Sequence, residues 1–157
     1  MAIQKITPFL WFDHQAEEAA GFYTSIFPNS KIVRVVRLEN AGPSGSALTV
    51  EFQLEGLTFV ALNGGPYHKF TEAVSFVVNC QTQEEVDFYW EKLSAGGAEI
   101  QCGWLKDKFG LCWQIVPTAL FELLSDPDRE KAQRVMNALL QMKKLDLRAL
   151  KQAYDQV

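Results

Sequence analysis

The chain has 157 residues, and 15 Lys and Arg against 19 Asp and Glu give a net charge of −4. With 48% hydrophobic, 12% aromatic and 22% charged residues, it has the make-up of an ordinary globular domain, which excludes intrinsic disorder. The acidic balance and the lack of a basic cluster exclude a nucleic-acid partner held by phosphate neutralisation.

No apolar run approaches the ~18 residues of a membrane span, and Met1-Ala2-Ile3-Gln4-Lys5 lacks the apolar core of a signal peptide. Cys80, Cys102 and Cys112 cannot all pair with one another, and they form no C-x-x-C motif. They read as small buried hydrophobes in a reduced, cytoplasmic protein.

In chain order, Ile3 to Phe12 is rich in β-branched and aromatic residues and predicts a strand, with Pro8 as its irregularity. Ala16, Ala19, Ala20, Tyr23 and Phe27 form one helical stripe within Gln15 to Phe27. Lys31 to Leu38 reads as a strand, and Asn40 to Ser46 as a loop of turn residues. Leu48 to Glu55 alternates strictly, with Leu48, Val50, Phe52 and Leu54 on one face and Thr49, Glu51, Gln53 and Glu55 on the other. Glu55-Gly56 turns this strand into Leu57 to Leu62, which makes a hairpin.

Ala73 to Val78 is the next strand, and Gln83 to Leu93 a helix closed by Gly96-Gly97. Short strands follow at Ala98 to Cys102, Trp104 to Lys106 and Leu111 to Val116. From Thr118 the chain reads as helical. Asp126-Pro127 is a helix start with Pro at the first helical position, and Val135, Met136, Leu139, Leu140 and Met142 give that helix an apolar side. Asp146 opens a last helix bearing Leu147, Leu150 and Tyr154.

A shift of 66 residues lays Phe22-Tyr23 on Phe88-Tyr89, and Phe9 to Phe12 on Ser75 to Val78. The fold class expected is α+β: two βαβββ modules (1–66 and 67–117) with curved mixed sheets forming a cleft, plus a helical C-terminal arm (118–157), all in a single domain.

Taken singly, few residues carry chemistry. His14 follows Asp13 at a strand-to-helix junction and reads as an exposed capping pair. His68, in Pro66-Tyr67-His68-Lys69-Phe70, is the imidazole placed for proton transfer, with Gln114 as a second weak catalytic candidate. Glu51 and Gln53 share a solvated face. Cys112 has no neighbouring base to lower its pKa, and Ser75 lacks a nucleophile-elbow context.

Several words carry a family resemblance: Leu62-Asn63-Gly64-Gly65-Pro66, Tyr89-Trp90-Glu91-Lys92-Leu93, Cys102-Gly103-Trp104-Leu105-Lys106-Asp107 and Gly110-Leu111-Cys112-Trp113-Gln114-Ile115-Val116-Pro117. So do Leu124-Ser125-Asp126-Pro127-Asp128 and Met142-Lys143-Lys144. Together they resemble the PhnB-like branch of the vicinal oxygen chelate superfamily, which includes glyoxalases, extradiol dioxygenases and bleomycin-resistance proteins. Some members of the branch bear the name 3-demethylubiquinone-9 3-methyltransferase.

The resemblance implies a homodimer and a small-molecule ligand. Metal-dependent members would place four ligating side chains in the cleft. Here those positions fall on Pro8 or Thr7, on Phe59, Ala61 or Asn63, on Ala73, and on Gln114 at the end of Asp107-x-x-Gly110-x-x-x-Gln114. Most cannot ligate, so no metal and no cofactor is expected. By strand parity the cleft lining is Leu10, Phe12, Phe59, Ala61, Asn63, Ser75, Val77, Cys112 and Gln114, walled by Phe70 and Trp104.

The reading is a small-molecule binder with a metal-free cleft, with catalysis left open. The alternatives are a metal-dependent isomerase, lyase or dioxygenase, the methyltransferase of the family name, and a drug-sequestering resistance protein. Methyl transfer of the usual kind needs a glycine turn that opens a helix after a strand. Gly42 to Gly45, Gly64-Gly65 and Gly96-Gly97 do not stand in that place.

Overall fold

A computed structural model of the chain describes residues 3–38 and 47–156, and divides after Phe70 into two units. The expected loop at Asn40 to Ser46 lies outside the described residues. Each unit is built on one four-stranded mixed sheet.

In the first unit the elements are β1 (Phe9–Phe12), α1 (Ala16–Ile26), β2 (Lys31–Val36), β3 (Thr49–Leu54) and β4 (Leu57–Asn63). The sheet order is β1-β4-β3-β2, with β1 parallel to β4 and the other pairs antiparallel. Glu55 (φ 49°) and Gly56 (φ 81°) make the tight turn of the β3–β4 hairpin, which fixes the pairs Leu54↔Leu57, Phe52↔Phe59 and Val50↔Ala61. The strand expected from Ile3 shortens to Phe9–Phe12. Before it, the Gln4 side chain does the pairing: Nε2 donates to Thr58 O at 3.0 Å and Oε1 accepts from Thr58 N at 3.1 Å. Pro8 has no N–H to donate, but its carbonyl accepts from Val60 N at 3.0 Å.

The apolar stripe of α1 covers one face of this sheet. Tyr23 is fully buried and stacks on Phe52 at 6.1 Å, and Phe52 stacks on Phe59 at 5.4 Å. Gln15, at the helix N-cap, makes no side-chain cap. Asn63 at the end of β4 supplies it, accepting from Ala16 N at 2.8 Å and donating to Ala47 O at 2.9 Å.

The second unit runs β5 (Ser75–Cys80), α2 (Gln83–Ser94), β6 (Ala98–Glu99), β7 (Trp104–Lys106), β8 (Cys112–Pro117), α3 (Ala119–Leu124), α4 (Arg129–Leu139) and α5 (Leu147–Asp155). Its sheet order, β5-β8-β7-β6, repeats the first with β5 parallel to β8. Val86, Trp90 and Leu93 of α2 are buried, as are Leu105, Trp113 and Ile115 of the sheet. Trp90 Nε1 donates to Glu99 at 2.9 Å, which ties α2 to that face.

The C-terminal helices pack on their own unit through Val116, Leu120, Val135, Leu139, Leu145 and Leu150. Asp126-Pro127 does not start α4. Asp126 accepts from Asp128 N and from the Tyr154 hydroxyl, and Asp128 becomes the cap, accepting from Glu130 N and Lys131 N. Leu140 falls just past the helix and is 54% exposed rather than on its apolar side.

One buried carboxylate organises the β7–β8 turn. Asp107 is 2% exposed; Oδ1 accepts from Phe109 N and Leu111 N, and Oδ2 accepts from Trp113 Nε1 at 2.9 Å. Gly110 (φ 87°) completes the turn. Asp107→Ala strands three donors, each costing ~1–3 kcal/mol when buried without a partner. A stability loss of roughly 3 kcal/mol or more is expected by urea unfolding at unchanged slope. A loss below ~1 kcal/mol would contradict the assignment.

Candidate functional site

Because each helix buries one face of its sheet, only side chains of the other parity can meet a ligand. In the first unit this corrects the expected lining. Leu10, Phe12, Phe59 and Ala61 are 6%, 3%, 4% and 0% exposed and lie on the face with Phe52, under α1, while Asn63 caps that helix. Phe70, expected as a wall, packs edge-on against Phe12 at 5.2 Å. The uncovered face instead carries Phe9, Trp11, Glu51, Gln53, Val60 and Leu62. The 66-residue shift contained this answer, since it lays Phe9 and Trp11, not Leu10 and Phe12, on Ser75 and Val77.

On that face Glu51 is paired with Arg34 at 3.0 Å. Trp11 donates from Nε1 to Gly65 O at 2.9 Å, and a Cβ on Gly64 would stand 2.2 Å from its ring, so only glycine fits there. His68 is exposed and meets the Trp11 ring edge-on at 4.8 Å between centroids. Among the described residues no carboxylate orients it for proton transfer. His14 is exposed beside Asp13 at 3.6 Å, and it is Asn63, not this pair, that caps α1.

In the second unit the parity places Ser75, Val77, Trp104, Lys106, Cys112 and Gln114 on the uncovered face. Gln114 sits between Val77 on β5 and Trp104 on β7, and its Nε2 donates to Ser75 Oγ at 2.8 Å. Ala73, the expected ligand position, lies outside the strand, two residues before Ser75. Gln114 Oε1 has no partner among the described residues. The same is true of one indole N–H: Trp11, Trp90 and Trp113 donate to Gly65, Glu99 and Asp107, but Trp104 has no acceptor among them.

Beside this row lies an ion pair that the sequence reading missed, Lys106 Nζ to Glu72 at 2.5 Å. Lys106 is directly across from Cys112. Cys112 is fully buried although its parity is that of the uncovered face. Burial pushes its thiol up, away from the thiolate form that a nucleophile needs. Cys80 is buried too, pushed up to about 12.

The donor set does not fit a divalent ion. Gln114 and Ser75 offer a neutral amide and a hydroxyl, Glu51 is committed to Arg34, and no group of three or more His, Cys, Asp or Glu among the described residues is placed to hold a metal. No helix among the described residues is long and apolar enough to cross a membrane.

The family model for 3-demethylubiquinone-9 3-methyltransferase matches residues 4–116. The C-terminal arm, with the words at Leu124 to Asp128 and Met142 to Lys144, lies beyond the match. A Bacillus cereus PhnB protein, described as a candidate 3-demethylubiquinone-9 3-methyltransferase, is 38% identical over 73% of this chain and 100% of its own, with a TM-score of 0.68. A Pseudomonas aeruginosa protein shares the fold at 17% identity, over 74% of this chain and 98% of its own, with a TM-score of 0.63. So does FosX, a fosfomycin resistance protein of Listeria monocytogenes, at 18% identity, over 80% and 100%, with a TM-score of 0.55. One FosX structure is described as a complex with Mn(II) and sulfate. No curated protein matches the chain.

The Lys106 bond holds the Glu72 carboxyl below its ordinary 4.5, and the same bond raises Lys106 above 10.5. The depressed carboxyl stabilises the fold above its unfolded value and loses that contribution as pH falls through the folded one. The raised ammonium contributes below its unfolded value and loses it as pH rises through the folded one. Glu72→Gln is therefore expected to lower the urea midpoint most between about pH 5 and pH 10, with the deficit shrinking on both sides. A pH-independent deficit would contradict the pairing.

Proposed function

This chain belongs to the 3-demethylubiquinone-9 3-methyltransferase family, the PhnB-like branch of the vicinal oxygen chelate superfamily, and we propose that it binds a small molecule without a metal. The binding face is the uncovered face of the second sheet, at Ser75, Gln114 and Trp104. The observation that carries this reading is the chemistry at Gln114. At the position where the superfamily's metal-dependent members place their last ligand stands a neutral amide, bonded to Ser75 and leaving one acceptor unused among the described residues. Polar groups with spare hydrogen-bonding capacity beside an aromatic ring are what a small-molecule site needs. His68 has no part in this reading.

Methyl transfer, the activity in the family's name, gains no support from the residues. Gly64-Gly65 follow a strand without opening a helix, and Gly96-Gly97 close one. The protein acts in the cytoplasm as a homodimer. In support of the dimer, β2 is a sheet edge whose Ile32, Val33 and Val36 are 40%, 43% and 37% exposed.

Native mass spectrometry of the purified chain tests both statements. A mass of two chains with no stoichiometric divalent ion is expected. Near-stoichiometric Ni, Zn, Mn or Fe, lost in Gln114→Ala, would overturn the metal-free reading, and a monomer would overturn the dimer. Binding of S-adenosylmethionine in calorimetry at millimolar concentration would favour methyl transfer instead.

A further inference from the structure

The proposed binding face has a property that narrows its ligand: its charges are already balanced. Of the side chains that β5, β7 and β8 place there, Lys106 is the cation, and Glu72 meets it at 2.5 Å. Its neighbour Cys112 is fully buried. An anionic ligand would find no unpaired cation on these strands, and a cationic one no unpaired carboxylate.

What remains unused is neutral and directional. Among the described residues the Trp104 indole N–H is a donor without an acceptor, and Gln114 Oε1 is an acceptor without a donor. The two residues stand directly across from each other on β7 and β8, with Val77 on the far side of Gln114. Trp104 is half-buried, so its ring offers an apolar surface beside the polar pair. An indole and an aliphatic side chain flanking a carboxamide suit a flat ring with a polar edge.

Resting on the function proposed above, we infer that the ligand is an uncharged planar molecule whose edge carries both a hydrogen-bond acceptor and a donor, read by Trp104 and Gln114. Burial of a carboxylate on this face would leave it uncompensated, and an unpaired buried charge is far more costly than an unpaired neutral group. The ligand class is thus set by the pre-formed Lys106–Glu72 pair as much as by the two residues that touch it.

Benzamide and benzoate share one ring and differ in charge, so they separate the ligand class from the site. With isotope-labelled full-length chain at neutral pH, benzamide is expected to shift the Trp104 indole N–H and the Gln114 side-chain amide in NMR spectra. It should bind at least tenfold more tightly than benzoate. Ser75→Ala and Gln114→Leu should each weaken benzamide at least threefold while the remaining spectrum stays that of a folded chain. Benzoate binding these resonances as tightly as benzamide would overturn the uncharged class and leave the site standing. Shifts by neither compound, or by both only elsewhere, would overturn the site and the proposed function with it.

Discussion

A helix laid across a four-stranded sheet removes every second residue of the strands beneath it from solvent, and which face of each sheet a ligand can reach follows from that. In the first unit Tyr23 of α1 seats on Phe52, and the pairing of Phe52 with Phe59 carries the buried layer across the hairpin. In the second, Trp90 of α2 reaches Glu99, while Leu105, Trp113 and Ile115 close under it. Burying these layers is worth ~1.5–3 kcal/mol for each large side chain. A one-residue change of register would expose them all, so the choice of face is strongly fixed.

The uncovered face of the second sheet depends in turn on the Asp107 turn. Its three hydrogen bonds hold β7 against β8, and that register puts Trp104 opposite Gln114 and Lys106 opposite Cys112. A buried carboxylate at the turn therefore places a neutral amide and an indole side by side some residues away. The Lys106–Glu72 pair then leaves that face without net charge. The chemistry on offer is hydrogen bonding and stacking.

Much of this is legible in the sequence. The alternation from Leu48 to Leu54 identifies a half-buried strand because its period is 2, and the repeat at 66 residues identifies two modules of the same strand order. The first-unit lining was misread for a traceable reason. Once Glu55-Gly56 is a two-residue turn, Leu54 must face Leu57, which puts Phe59 and Ala61 with the packed residues Phe52 and Val50. Asn63 resembled a ligand and proved a helix cap, a role that depends on a contact 47 residues away. Asp126 looked like a cap, but Tyr154 had a stronger use for its second oxygen. Glu72, just before β5, had no local pattern to mark it. Its partner is 34 residues on and is found only through the fold.

The central claim is that the accessible face of each sheet is the one opposite its helix. Solvent paramagnetic relaxation, read on side-chain resonances with a soluble gadolinium chelate, tests it most directly. The Gln114 amide, the Trp104 indole N–H and the Val77 methyls should broaden strongly, while the methyls of Leu10, Ala61 and Ile115 stay sharp. Broadening of Leu10 and Ala61 to the level of Val77 would contradict the account.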